Sequence, residues 1–280
     1  MAGNAVLVET IEYNDLEFGK FLGSGAEGAV WAAWYLDTPV AVKQTNSVHE
    51  LEMTLCAGQH DNVVGLRGLA KEGSSTYIVL EYCPRGTLDV LLHHTMTSRW
   101  DPSKVFQMIR CVARGILHLH SRKPAILHRD IKPANVFVSH GLVLKIGDFG
   151  MSRQLKPPPE SQQGQSRPRL RRTLTPGVIG TASYSAPELL DERLQAPDFN
   201  VERILKADVY SFGVTMWEIV QRERPFEGMQ FYEVVAGWSE PEGMKLEPLS
   251  IPKDLSASAQ HLMRSIQSLT NECTRMDPDE

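Results

Sequence analysis

The chain has 280 residues, 42% of them hydrophobic and 22% charged, with a formal net charge of −5. This composition is that of an ordinary globular protein, long enough for one large domain or two packed lobes, and it argues against bulk disorder. The mild acidity excludes a chain built to neutralise nucleic-acid phosphates, and no apolar run is long enough for a membrane span. Met1 to Phe18 carries no basic-then-apolar leader pattern, so a soluble, cytoplasmic protein is expected. Cys56, Cys83, Cys111 and Cys273 are far apart and lack C-x-x-C spacing, which favours buried or half-buried thiols over a zinc site or a disulfide framework.

In chain order, short β-type runs come first, punctuated by Gly and Pro: Leu16–Leu22, Ala29–Tyr35, Val40–Lys43, Val63–Leu69 and Tyr77–Glu81. One helix interrupts them, from Ser47 as its cap to Cys56. From Gly86 onward the pattern turns helical. Val105, Met108, Ile109, Val112, Ile116 and Leu119 recur at three- and four-residue steps, predicting a helix over Val105–His120 with one buried face. Val209–Val220 and Leu255–Cys273 read as further helices. Pro157–Pro176 is rich in Pro, Gln, Ser and Arg, the composition of a loop.

Three stretches concentrate chemistry. Gly23-Ser24-Gly25-Ala26-Glu27-Gly28-Ala29-Val30 follows a strand, and glycines permit the close backbone approach that phosphates require. A dinucleotide-binding turn would open a helix after its last glycine; Ala29–Tyr35 reads as a strand, which favours a β-hairpin lid. Lys43 ends the apolar run Val40-Ala41-Val42, where a lysine is either a solvated strand end or a point charge for phosphates. The third stretch is His128-Arg129-Asp130-Ile131-Lys132-Pro133-Ala134-Asn135 with Asp148-Phe149-Gly150 beyond it.

These segments, in this order, resemble the glycine loop, strand lysine, H-R-D-x-x-x-x-N loop and D-F-G of protein kinase catalytic domains. Gly180-Thr181, Ala186-Pro187-Glu188 and Ala207-Asp208-Val209-Tyr210-Ser211-Phe212-Gly213 extend the likeness over nearly the whole chain. The resemblance implies an α+β, bilobal fold. Residues 16–83 would form a small, mainly antiparallel β lobe with one helix, 84–280 a larger, mainly helical lobe, and 1–15 an N-terminal extension. Cys273 to Glu280 resembles the run just before an arginine that pairs with the glutamate at Glu188, so that arginine and the family's last helix would be lacking and Glu188 left without its partner.

The implied activity is ATP- and Mg2+-dependent phosphoryl transfer to protein serine or threonine hydroxyls in intracellular signalling. Asp130 would take the substrate hydroxyl's proton, Lys132 would offset phosphoryl charge, and Asn135 and Asp148 would hold Mg2+. Lys43 would meet the phosphates, aimed by an acid on the Ser47–Cys56 helix. Glu50 and Glu52 point to nearly opposite sides of a helix, so only one can serve. Val48, Leu55 and Cys56 place Glu52 on the more apolar face, whereas the family pattern selects Glu50.

For the nucleotide, Leu22, Gly23, Gly25, Gly28, Val30 and Ala41 would roof the base and phosphates, and Phe137 would floor the base. Leu80 would close the back, with Glu81 and Cys83 supplying backbone groups. His128 and Phe149 read as packing residues. Lys132 and Thr181 resemble the serine/threonine-directed form, most like the tyrosine-kinase-like group. In kinases with an arginine at the place of Arg129 a phosphate on the activation loop pairs with it, which makes Thr173 or Thr175 a candidate site, the alternative being a merely solvated loop; a regulatory partner or upstream kinase is expected to go with it. The alternative is a pseudokinase, an ATP-binding scaffold, which would normally have lost Lys43, Asp130 or Asp148.

Overall fold

A computed structural model describes residues 8–25, 28–95, 101–156, 182–190, 201–238 and 245–275. The loop expected over Pro157–Pro176, with Thr173 and Thr175, lies outside these residues, as does Thr181.

The first part of the chain forms a five-stranded antiparallel sheet: β1 (Leu16–Gly25), β2 (Gly28–Tyr35), β3 (Thr38–Thr45), β4 (Leu66–Glu72) and β5 (Ser75–Glu81), in the order β1-β2-β3-β5-β4. Strand periodicity sorts its two faces. Val40 and Val42 of β3 point into a core with Ile11, Leu16, Ala33, Tyr77 and Val79. Ala41 and Lys43 therefore share the opposite face, where the register sets Val30 across from Lys43 and Leu80 across from Ala41. The strand expected at Val63 begins at Leu66. Val63 instead bridges to Ile146 in the other half of the molecule.

Ahead of β1, Glu9 to Ile11 runs along β4: Ile11 N donates to Leu69 O at 2.8 Å and Leu69 N to Glu9 O at 2.9 Å. Gly68 makes that approach possible, because a Cβ there would meet Ile11 Cδ1 at 2.6 Å and Glu9 O at 2.7 Å.

Helix α1 (Val48–Ala57) crosses between β3 and β4. Ser47 caps it, its hydroxyl accepting from Glu50 N at 3.1 Å. Its last carbonyls are met from below: Arg122 Nε donates to Cys56 O at 3.0 Å, and His118 Nε2 to Ala57 O at 2.7 Å.

The second part is helical. After α2 (Leu88–His93) comes α3 (Pro102–His120), capped by Asp101, with all six apolar positions of its predicted stripe buried. β6 (Ile126–Leu127) pairs with β9 (Arg153–Gln154), and β7 (Val136–Val138) with β8 (Leu144–Ile146). Among the described residues four further helices follow: α4 (Pro187–Leu190), α5 (Val201–Gln221), α6 (Phe231–Trp238) and α7 (Ala257–Cys273). α5 packs against α3 and α7 around a core that includes Met108, Leu119, Ile131, Phe149, Met216 and Ile266.

Asn62 ties the halves together. Its Nδ2 donates to Leu144 O at 2.9 Å, its carbonyl accepts from Ile146 N at 2.9 Å, and Val64 N donates to Ile146 O at 2.8 Å. One expectation is corrected in this half. Glu188 is not without a partner in the described fold. Burial first, and the Glu188 charge second, push the Tyr210 phenol well above its ordinary pKa.

Candidate active site

The loop from His128 to Asn135 connects β6 to β7, and its shape is imposed from below by one buried acid. Asp208 of α5 is 0% exposed. It accepts from His128 N and Arg129 N, both at 2.8 Å, and from His120 Nε2 at 2.9 Å. Burial opposes ionisation of Asp208, but the His120 hydrogen bond and the neighbouring donors outweigh it and hold the carboxyl below the ordinary range. Arg129 takes a left-handed backbone with φ of 70°, a conformation that costs about 1–3 kcal/mol and persists because these bonds over-determine it. His128 is fully buried. Its Nε2 donates to Gly147 O at 3.1 Å and its ring meets Phe149 edge-on at 5.3 Å.

On this base the loop presents three side chains. Asn135 Nδ2 donates to Asp130 Oδ2 at 2.7 Å and to Asp130 O at 2.9 Å. Lys132 Nζ lies 2.9 Å from the same Oδ2. Gly147 N donates to Asn135 O at 3.0 Å, so Asp148 follows directly after a residue bonded to this loop. Asp148, also left-handed with φ of 63°, has a side chain 39% exposed and sets Oδ1 3.4 Å from Lys43 Nζ.

Lys43 also pairs with Glu50 Oε1. Glu50 is 2% exposed, and its other oxygen accepts from Thr45 Oγ1 at 3.0 Å. The inward positions of α1 are Glu50, Met53, Thr54 and Ala57, one helical face. Glu52 is exposed, and Val48, which made its side look apolar, is itself 69% exposed. The apolar count misled because α1 turns Met53 and Ala57 into the core shared with the helical half, which sets Glu50 rather than Glu52 on its inward face.

The nucleotide residues fall around the same cleft. Val30, Ala41 and Lys43 share one face of the sheet, and Phe137 bridges to Thr87 below it. Gly28, with φ of 139°, passes so close to β3 that a Cβ would sit 1.8 Å from Gln44 O. Leu22 lies at the register irregularity between Phe21 and Gly23 and is largely exposed. Glu81 N donates to Gly65 O at 2.8 Å, and its carboxylate pairs with Lys145 Nζ at 3.0 Å. Cys83 O accepts from Gly86 N at 3.2 Å, whereas its N–H meets no acceptor among the described residues. Burial, then the Glu81 charge, pushes the Cys83 thiol up to about 12, so it stays protonated.

Asn135 and Asp148 fit a magnesium ion by donor chemistry. The Asn135 amide spends its nitrogen on Asp130, which leaves Oδ1 as the ligating end, and a carboxylate and an amide oxygen are the hard donors that cation takes.

Sequence reasoning assigned no role to Asp208, Thr45 or the group Tyr184, Glu218 and His93. Glu218, fully buried on α5, accepts from Tyr184 Oη at 2.5 Å and meets His93 Nε2 at 2.7 Å. This anchors the segment that leads into Ala186-Pro187-Glu188. The legible signal was an acid at or in the apolar run Val209–Val220, Asp208 just before it and Glu218 within it.

Comparison with known proteins agrees with this geometry. The chain matches the family described as protein tyrosine and serine/threonine kinase over residues 16–277. Among similar proteins, the serine/threonine-protein kinase-transforming protein mos of Moloney murine sarcoma virus is 33% identical over 234 residues, 75% of this chain and 57% of the viral protein. The proto-oncogene serine/threonine-protein kinase mos of Rattus norvegicus is 32% identical, over 75% of this chain and 63% of its own. The mitogen-activated protein kinase kinase kinase dlk-1 of Caenorhabditis briggsae is 31% identical over 78% of this chain and 23% of its own. The chain thus spans less than two thirds of each of these relatives. A family match over most of its length, joined to a lysine, two aspartates and an asparagine gathered in one cleft, means that this chain belongs to the protein tyrosine and serine/threonine kinase family.

Proposed function

We propose that this chain transfers the γ-phosphoryl group of ATP to serine or threonine hydroxyls of protein substrates, as a step in signalling inside cells. The observation that carries the reading is the convergence of Lys132 and Asn135 on one oxygen of Asp130, with Lys43 and Asp148 in contact across the cleft.

The bond from the γ-phosphorus to the oxygen it shares with the β-phosphate breaks, and a new one forms to the substrate hydroxyl. Asp130 orients that hydroxyl and takes its proton; with positioning and charge stabilisation dominant, an ordinary carboxylate suffices. Lys132 sits where it offsets charge on the phosphoryl group in transfer. Lys43, aimed by Glu50, neutralises the phosphates from above, and Gly28 lets the hairpin backbone approach them. The Cys83 N–H is a donor for the base edge, between Ala41 above and Phe137 below. Asn135 and Asp148 would hold Mg2+, which when bound neutralises phosphate-oxygen charge.

The preference for serine and threonine rests on Lys132, 2.9 Å from Asp130, and on relatives named as serine/threonine-protein kinases. Incubation with labelled ATP, Mg2+ and a general protein substrate, followed by phosphoamino-acid analysis, tests it. Phosphoserine and phosphothreonine are expected. Phosphotyrosine alone, or no incorporation, would overturn the proposal.

A further inference from the structure

A cavity of about 360 Å3 opens behind α1, away from the nucleotide cleft, lined by Leu55, Cys56, Arg122, Lys123, Pro124 and Gln154. None of the residues assigned to phosphoryl transfer lines it. Its volume is within the range of small-molecule sites and many times that of a water molecule.

The charge of this cavity sets it apart. Lys43, Lys132, Lys145 and Arg224 each face a carboxylate. Arg122 and Lys123, adjacent in sequence and both in its lining, have no acidic partner among the described residues. Arg122 spends Nε on Cys56 O, and its remaining nitrogens lie against Gly58, where a Cβ would stand 3.4 Å from Nη2. Two uncompensated cations in a concave surface concentrate positive potential. Leu55 and Pro124 add apolar surface to the lining, and the Gln154 amide adds a polar group.

We propose that this cavity is a second ligand site, for a small molecule that joins a phosphate to a compact apolar body. The phosphate would meet Arg122 and Lys123, and the body would cover Leu55 and Pro124. Because Arg122 also holds the last turn of α1, and α1 carries Glu50, occupancy acts on the Lys43–Glu50 pair. That consequence rests on the phosphoryl-transfer reading; binding itself does not.

Phenyl phosphate is the probe. Calorimetric titration, with the nucleotide cleft saturated by ADP and Mg2+, should show saturable binding to the wild-type chain. Phenol and inorganic phosphate should each bind at least about tenfold more weakly, as should the probe to Lys123→Gln, since a hydrogen bond to a charged group is worth about a factor of ten or more. Lys123 is exposed and makes no side-chain bond among the described residues, so Lys123→Gln should fold; Arg122→Gln is the second variant.

Location is read from Cys56. Iodoacetamide alkylates it by forming an S–C bond, with iodide leaving and the thiol proton passing to solvent. Cys83 and Cys273 are held back by thiols raised to about 12 and about 11 by burial. Bound phenyl phosphate should slow Cys56 alkylation as measured by peptide mass spectrometry. No binding, binding unchanged in both variants, binding lost when ADP is present, or inorganic phosphate binding as tightly as phenyl phosphate would each overturn the proposal.

Discussion

The two charged centres of the cleft are held in different ways. Asp130 stands on a loop whose backbone is bonded to a fully buried acid, Asp208, and packed through His128 onto Phe149. Lys43 depends on Glu50, near the start of a ten-residue helix that is fastened at its ends by Ser47, Arg122 and His118. The lower centre is therefore preorganised by the core, whereas the upper one is set by where a single short helix lies. Stability should follow the first more strongly, and activity the second.

The largest effect is expected from Asp208→Ala. It strands two buried backbone N–H groups, each costing about 1–3 kcal/mol, and should lower unfolding free energy by about 3–5 kcal/mol in urea titrations. A loss below about 1 kcal/mol would mean that the loop holds itself. Glu50→Gln should instead cut phosphoryl transfer by about 10²-fold, as misplacement of a positioning group does, with a much smaller change in stability. Glu52→Gln, on the exposed face, should leave the rate unchanged, and equal losses from the two would refute the helix-face argument.

Thr45→Val removes the hydroxyl that donates to Glu50 and should cost about 1 kcal/mol by the same urea titration. The smallest effect is a pH dependence that separates the two regions. His60 stacks on His118 with ring centroids 4.5 Å apart. Burial first, then the facing His118, lowers its pKa, with Lys145 and Arg114 adding to this and Asp61 opposing. The unfolded chain then binds more protons, so stability is full above about pH 6.5 and falls as pH drops from there toward the lower folded value. His60→Gln should flatten that slope. Asp208, whose pKa is lowered, contributes stability above about pH 3.9 that is lost only in stronger acid. A wild-type stability profile flat between pH 7.5 and 5 would contradict the His60 assignment.

Much of this was legible in the sequence because local pattern and global fold agree. The alternation of β3 puts Lys43 on the cleft face, and the stripe of α3 is buried as its spacing requires. What escaped was set by tertiary contact. Glu52 looked inward by the count of apolar neighbours, yet Ser47 and Thr45 turn Glu50 inward instead. Val63 read as strand because it is β-branched and apolar, but its pairing partner is Ile146, far along the chain. The roles of Asp208 and Glu218 depend on which backbone and side-chain donors reach them, and no local pattern encodes that.

In the proposed mechanism Asp130 acts on the substrate hydroxyl while the nucleotide is held by other groups. Single-turnover phosphoryl transfer by wild type and Asp130→Asn, with ATP binding measured in parallel, tests it most directly. The expected rate is about 10²–10⁴-fold lower in the variant, with nucleotide affinity unchanged. Equal rates, or a wild-type chain that binds ATP and Mg2+ tightly yet transfers nothing, would contradict it and leave a nucleotide-binding scaffold in its place.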